Sequence, residues 1–367
     1  MQQTNRLISL DVFRGITIAA MVLVNNPGSW STVYPPLLHA KWNGCTPTDL
    51  IFPFFVFIVG VSIVLAYTKR LSQGASHSHL IKKLVFRAFK IFILGVFLNG
   101  FPYFDFTDIR IPGVLQRIAL VFLVCGLLFI KTKWKTQAII GVVLLLLYWF
   151  LMTVVPVPGV GPANLEPTTN LGAWLDNLLL GGHLWRQSEV WDPEGLLSTM
   201  PAVVTGICGM LTGHLLSANL DKNLKVIWLF VAGSLSIFIG LVWDIYFPIN
   251  KMLWTSAYVL YTAGIALEIL ALIYWFVDVK GYSTGTKPFI AYGSNAITLY
   301  VLSGLISKIL GMIQVGESSL HAWIYQNLFL SWLGDYFASF MFALTTQVLF
   351  LLIIAWWLHK KKIFIKL

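Results

Sequence analysis

Ten apolar stretches, parted by charged or Pro/Gly-rich loops, constrain this chain more than any other feature. They fall at about residues 7–26, 48–67, 84–101, 112–130, 136–155, 196–217, 224–247, 253–277, 288–312 and 336–359. Each approaches the roughly 20 residues with which an α-helix crosses the hydrocarbon of a bilayer. Hydrophobic residues make up 57% of the chain and charged ones 11%, against about 25% charged in an average soluble domain, so a soluble globule is excluded. The expected fold class is an all-α polytopic membrane protein of about ten transmembrane helices, forming a single domain over 1–367. Its first run is broken by Asp11 and Arg14 and has no small-residue cleavage site, so it is expected to stay as a helix rather than leave as a signal peptide.

Charge placement orients the chain. When the sides alternate, the N-terminal side collects eighteen Lys and Arg: Arg6, six from Lys69 to Lys90, Lys131, Lys133, Lys135, Lys222, Lys225, Lys280, Lys287 and the final Lys360, Lys361, Lys362 and Lys366. The opposite side receives Lys41, Arg110, Arg186 and Lys251, together with nine acids. The positive-inside rule then puts both termini in the cytoplasm and the loop at about 156–195 outside. The net charge of +10 is thus read as membrane topology, with no nucleic acid partner. The stretch at about 318–333 is too short to span and is expected to be an outward interfacial helix. No internal repeat, low-complexity segment or heptad array is visible. Cys45, Cys125 and Cys208 form no CxxC pair and no metal-ligand spacing, so neither a disulfide framework nor a metal site is expected.

Ionisable groups within spans cost at least about 2.5–3.5 kcal/mol each at the bilayer centre, which makes the few present here site candidates. Asp11 and Arg14, three apart, share a face of the first helix near its cytoplasmic end. They form either a local ion pair or a site where the Arg14 fork meets a phosphate with Asp11 orienting it. Arg117 follows Arg110 by seven residues, two turns along one face of the fourth helix, with Gln116 beside it; it is either a structural pair or a ligand contact. The densest polar cluster runs from Asn25 and Asn26 through His39, Lys41, Asn43 and Cys45 to Asp49. Neutral imidazole accepts a proton well at neutral pH, and an amide such as Asn25 can hold an oxyanion without adding charge. Asp49 opens the second helix and also reads as a cap. Outward Asp192 and Glu194, in "WDPEG", would attract an amine or sugar hydroxyls, or else begin the sixth helix. Asp244 and Glu268 are expected to be buried acids that pair with each other or with Arg117.

These words then carry a likeness. "SLDVFRG", "HAKWNG…TDLIFPFFVFIVG", "RIPGVLQR", "WDPEG", "NKMLWTSAYVL", "DVKGYSTGTKPF" and "KKKIFIKL", in this order, resemble the heparan-α-glucosaminide N-acetyltransferase family of transmembrane acyltransferases. The resemblance implies a helical bundle that uses acetyl-CoA as co-substrate and an amino-sugar or glycan acceptor on the far side of a lipid bilayer. It implies that the catalytic histidine is His39 and that its asparagine partner is Asn25. Arg14 and Arg117, with Asp11 and Gln116, would hold the anionic end of acetyl-CoA from the inside. Asp192, Glu194, Asn43 and Asp49 would meet the acceptor.

The chain looks like the bacterial branch, which lacks the extra N-terminal luminal domain and first helix; that implies a multi-pass protein of the inner membrane and a homodimer. Transfer would be direct, or would pass through an acetyl group on His39. A membrane carrier for an N-acetylglucosamine-type sugar is the alternative, and O-acetylation of an envelope glycan a third reading. The lack of detectable inverted repeats weighs against the carrier.

Overall fold

The structure, a computed structural model, describes residues 7–365 and is helical almost throughout. Arg6 and Lys366 of the charge count therefore lie outside the described residues. In chain order the helices are α1 (Ile8–Asn25), α2 (Pro47–Ser72), α3 (His77–Gly100), α4 (Val114–Lys131), α5 (Trp134–Thr153), α6 (Leu171–Leu180) and α7 (Thr199–Ser217). Then come α8 (Lys222–Asp244), α9 (Ser256–Tyr274), α10 (Thr286–Ser294), α11 (Ala296–Met312), α12 (Leu320–Ile324), α13 (Asp335–Phe342) and α14 (Phe350–Lys360). Strands β1 (Gln314–Val315) and β2 (Ser318–Ser319) form a small antiparallel hairpin that turns at Gly316, which has a φ of 64°. π-helical segments extend α9 through Trp275–Val279, extend α12 through Tyr325–Leu330 and join α13 to α14 through Ala343–Leu349.

Among the described residues, eight helices are long and apolar enough to cross a membrane, and α10 with α11 would make a ninth were they not bent by 82°. This break corrects the continuous span expected at 288–312. Helix α3 covers the expected 84–101 but starts at His77, because the Ser76 side chain accepts from the His79 N–H and caps it. Its stretch from His77 to Lys90 carries Lys82, Lys83, Arg87 and Lys90. Helix α4 starts only at Val114, since Pro112 disfavours helical backbone at the residue before it. The loop at 156–195 contains the short helix α6, and the stretch at 318–333 holds α12 with its π-helical extension.

The chain divides into two compact units. The first holds Lys41–Cys45 and Pro53–Trp275, and so contains most of α2 and all of α3 to α9. Its interior is packed through small residues: a side chain on Gly60 would run into the Gly206 carbonyl of α7. Such close approach is how helices associate in lipid, where apolar surface alone supplies no drive. Helices α5 and α8 bury only 28% and 22% of their apolar windows and turn residues such as Val142, Leu146, Phe238 and Leu241 outward, as lipid-facing helices do.

The second unit holds Leu7–Ala40, Thr46–Phe52 and the chain from Phe276 on. Here α1 crosses α10 closely, with Gly293 set against the Asp11 carbonyl and Gly15 against that of Phe289. At the α10–α11 break, the Asn295 amide donates to Ile363 O at 3.0 Å and accepts from Ile365 N at 2.8 Å.

Candidate active site

Asp49 is the residue on which the second unit's polar chemistry turns. The sequence Thr46-Pro47-Thr48-Asp49 starts α2 as a capping box: Pro47 supplies a preset φ where no N–H is needed, and the Asp49 carboxylate reaches back to the Thr46 N–H at 3.0 Å. The same oxygen, Oδ2, accepts from the Ala40 N–H at 3.0 Å, and Thr46 Oγ1 lies 3.0 Å away. The other oxygen, Oδ1, is 2.7 Å from His39 Nδ1. The carboxylate is buried, its side chain 1% exposed, whereas the imidazole is 40% exposed. Upstream, Pro35 and Pro36 build a single 3₁₀ turn, and the Thr48 hydroxyl donates to Pro36 O at 3.2 Å, which ties the loop back onto α2.

A carboxylate facing Nδ1 assigns the ring proton to that nitrogen, so the base lone pair lies on Nε2. This is the orienting arrangement of base and acid known from hydrolytic triads. Asp49, expected to meet the acceptor, lies with Oδ1 against the His39 ring. Asn25 ends α1 and is exposed, while Asn26 beside it is buried. Arg14, nearer the start of α1, donates to Asp11 Oδ1 at 3.0 Å and to Gly293 O at 3.4 Å. At about 1.5 Å of rise per residue, Arg14 and Asn25 stand roughly 16 Å apart along the helix.

The first unit carries a separate charge cluster. Arg110 lies in the extended segment before α4, so it does not share a helical face with Arg117 as expected. Its fork meets Asp192 with Nε to Oδ2 at 2.8 Å and Nη2 to Oδ1 at 2.6 Å, and Nη2 reaches Glu194 Oε2 at 2.5 Å. Burial works against the charge on Arg110, but the bonds and charges of the two acids outweigh it and push its pKa further up. Asp176 of α6 accepts from Leu196 N at 2.8 Å and from Asp192 N at 3.4 Å. Burial pushes its carboxyl up to about 6 despite those two bonds.

Arg117 is fully buried in the first turn of α4, at the end that meets the 191–199 turn rather than the Lys131 end. Its Nη2 donates to Gly195 O at 3.1 Å and to Ser198 Oγ, and its guanidinium carbon lies 5.0 Å from the centre of the Trp254 ring. Its Nε and Nη1, and Gln116 Nε2 beside it, have no hydrogen-bond partner among the described residues. Asp244 and Glu268 are half-buried and accept from Ile249 N and, across to α8, from the Ser234 hydroxyl, not pairing with each other or with Arg117. Exposed Asn43 accepts from Asn250 Nδ2 at 3.1 Å, and Gly44 N donates to Ile249 O.

Residues 6–240 match the family model described as heparan-alpha-glucosaminide N-acetyltransferase, catalytic. The chain is 34% identical over 355 residues to heparan-alpha-glucosaminide N-acetyltransferase of Mus musculus, covering 81% of this chain and 53% of the mouse protein. With the protein of that name from Homo sapiens it shares 33% identity over 351 residues, covering 81% and 52% respectively. The chain belongs to the heparan-alpha-glucosaminide N-acetyltransferase family. It spans about half the length of these curated relatives.

The stretch matching the heparan-alpha-glucosaminide N-acetyltransferase model includes Asn25, His39 and Asp49 together with Arg110, Arg117, Asp192 and Glu194. Of the residues expected to meet an acceptor, Asp49, Asp192 and Glu194 are engaged by protein partners and Asn43 lies at the surface. Sequence reasoning missed Asp176, and nothing in its local sequence marks it. It also missed the orienting role of Asp49, for which the T-x-x-D capping box was a partial signal.

Proposed function

We propose that this chain is a transmembrane acetyltransferase that moves the acetyl group of cytoplasmic acetyl-CoA to the amine of a glucosamine-type sugar on the periplasmic side of a bacterial inner membrane. The observation that carries this reading is the His39–Asp49 pair, a half-exposed base oriented by a buried acid, within a chain of this family. His39 Nε2 takes a proton from the amine as its nitrogen bonds to the thioester carbon. Asn25 donates to the carbonyl oxygen as that oxygen gains charge. The C–S bond then breaks, and the departing CoA sulfur takes the proton back from His39. No metal enters this chemistry.

On the proposed topology Arg14, with Asp11, stands at the inward end of α1 and holds the donor's anionic end. Arg117 and Gln116 stand at the outward end of α4 and therefore leave the donor site, and Arg117 braces the 191–199 turn through Gly195 O and Ser198 Oγ. With α3 and the broken α10–α11 pair each counted as a crossing, there are ten, so both termini lie on one side, and the Lys and Arg asymmetry makes that side the cytoplasm. The stretch at 318–333 lies along the outer interface. A homodimer belongs to the same reading.

One observation favours the carrier alternative: the 82° break resembles the discontinuous helices that build transporter binding sites. Purified protein, given acetyl-CoA with and without glucosamine, separates the two readings. Amine-dependent CoA release that disappears in His39→Ala supports the transferase. An intact thioester with every amino sugar, from folded protein, overturns it in favour of the carrier.

A further inference from the structure

The four residues that follow Asn25 are all gripped by other parts of the second unit, Gly28 and Ser29 both by Ser339. Asn26, 7% exposed, donates through Nδ2 to Val22 O, and its Oδ1 accepts from the Ser307 hydroxyl of α11. Ser307 in turn accepts from Gln347 Nε2 at 3.3 Å. Gln347 is wholly buried, and its Oε1 has no partner among the described residues. Pro27 O accepts from the His321 ring, which packs on Phe342 with centroids 4.6 Å apart. Gly28 N donates to Ser339 O at 3.2 Å, and a side chain at Gly28 would run into the Tyr325 ring. Ser29 and Ser339 exchange two bonds, each 3.1 Å.

Three features set the Asn26–Ser307–Gln347 chain apart from ordinary loop packing. Its two ends, Asn26 and Gln347, are buried among apolar helices, where polar groups are retained only at a cost, and Ser307 between them is half-buried. Gln347 belongs to the π-helical segment Ala343–Leu349, and such segments occur mostly as local bulges within α-helices, frequently at functional sites. The segment is fixed from a second side as well, since the Tyr292 hydroxyl donates to Val348 O at 2.6 Å. The chain ends on the side chain next to Asn25, at the point where α1 stops.

We propose that Gln347 and Ser307 are positioning residues that set Asn25 for acetyl transfer by fixing the end of α1 through Asn26. This deepens the transferase reading and rests on it. An amide that must meet a developing oxyanion tolerates little displacement, and a shift of about 1 Å costs up to about 100-fold in rate.

The test is a kinetic cycle on the full-length protein, with CoA release as the readout. Ser307→Ala lowers kcat about tenfold or more while KM for acetyl-CoA stays within about twofold, and Ser307→Thr, which keeps the hydroxyl, restores most of the rate. Because Ser307 acts through Asn25, the double variant Asn25→Ala/Ser307→Ala is no slower than Asn25→Ala alone. Gln347→Leu is read in the same way and carries the test should Ser307→Ala fail to fold. Wild-type kcat in both variants, or losses that simply add to that of Asn25→Ala, overturns the positioning role and leaves the transferase reading intact. A wild-type protein that releases no CoA overturns the transferase reading, and the positioning role with it.

Discussion

Asp49 and Asp192 are both buried carboxylates set against a base, yet they treat that base differently. Asp49 gives one oxygen to His39 and the other to the backbone of Thr46 and Ala40, so the imidazole is held in one orientation while staying 40% exposed. Asp192 gives both oxygens to Arg110, which also takes Glu194 through Nη2, and Asp192 Oδ1 accepts the Glu194 N–H besides. The contrast teaches that an acid giving a single oxygen to a half-exposed ring can orient a reactive partner. Two acids that close on one guanidinium neutralise it and lock a loop instead.

If the contrast holds, the largest effect falls on His39. His39→Ala removes the base and lowers CoA release about 10²–10⁴-fold, while the protein folds and binds acetyl-CoA normally; near wild-type turnover would end the assigned role. Next comes Asp49→Asn, which keeps the shape but cannot hold the same tautomer. It lowers kcat about 100-fold with little change in melting temperature, and a large loss of stability without loss of kcat would make Asp49 a cap alone.

Arg110→Ala tests the other side of the comparison. It strands two buried carboxylates and costs about 3 kcal/mol or more of stability, read as a lowered melting temperature in detergent, whereas Arg110→Lys recovers only part because it cannot form the fork. An unchanged melting temperature would show that the cluster locks nothing.

The smallest effect is a pH dependence. The Asp176 carboxyl is pushed up from its ordinary value to about 6, so the folded state favours its neutral form. Its contribution is fully present below the ordinary carboxylate range, is lost as pH rises toward about 6 and stays flat above. Asp176→Asn, read as melting temperature against pH, removes that slope.

Much of the fold was legible because apolar runs of this length announce helices, and eight of the ten expected spans are single apolar helices long enough to cross. The α10–α11 break was not legible. Both halves are apolar, and Asn295 is no obligate breaker; the bend depends on the tail bonds its side chain makes 68 and 70 residues away. Arg110 and Arg117 looked like one helical face because their spacing is seven, but Pro112 keeps the first of them out of the helix. The partners of Arg110 lie 82 and 84 residues downstream, beyond the reach of any local pattern. His39 stood out through its polar neighbourhood and its family resemblance. Its partner did not, because a capping acid and an orienting acid look the same until the loop folds back onto it.

Asn295 gives the C-terminal end of the described chain an unusual job. By holding Ile363 and Ile365 at the corner where α10 turns into α11, it makes the tail a latch on a bent helix rather than a trailing end. Shortening the chain before Ile363, or fusing a bulky partner there, would therefore unfasten an interior corner of the second unit. For anyone preparing this protein, the safer ground for a cut or a label lies in exposed turns such as the one around Gly159, at the neighbours of that glycine rather than at the glycine itself, whose φ is 76°.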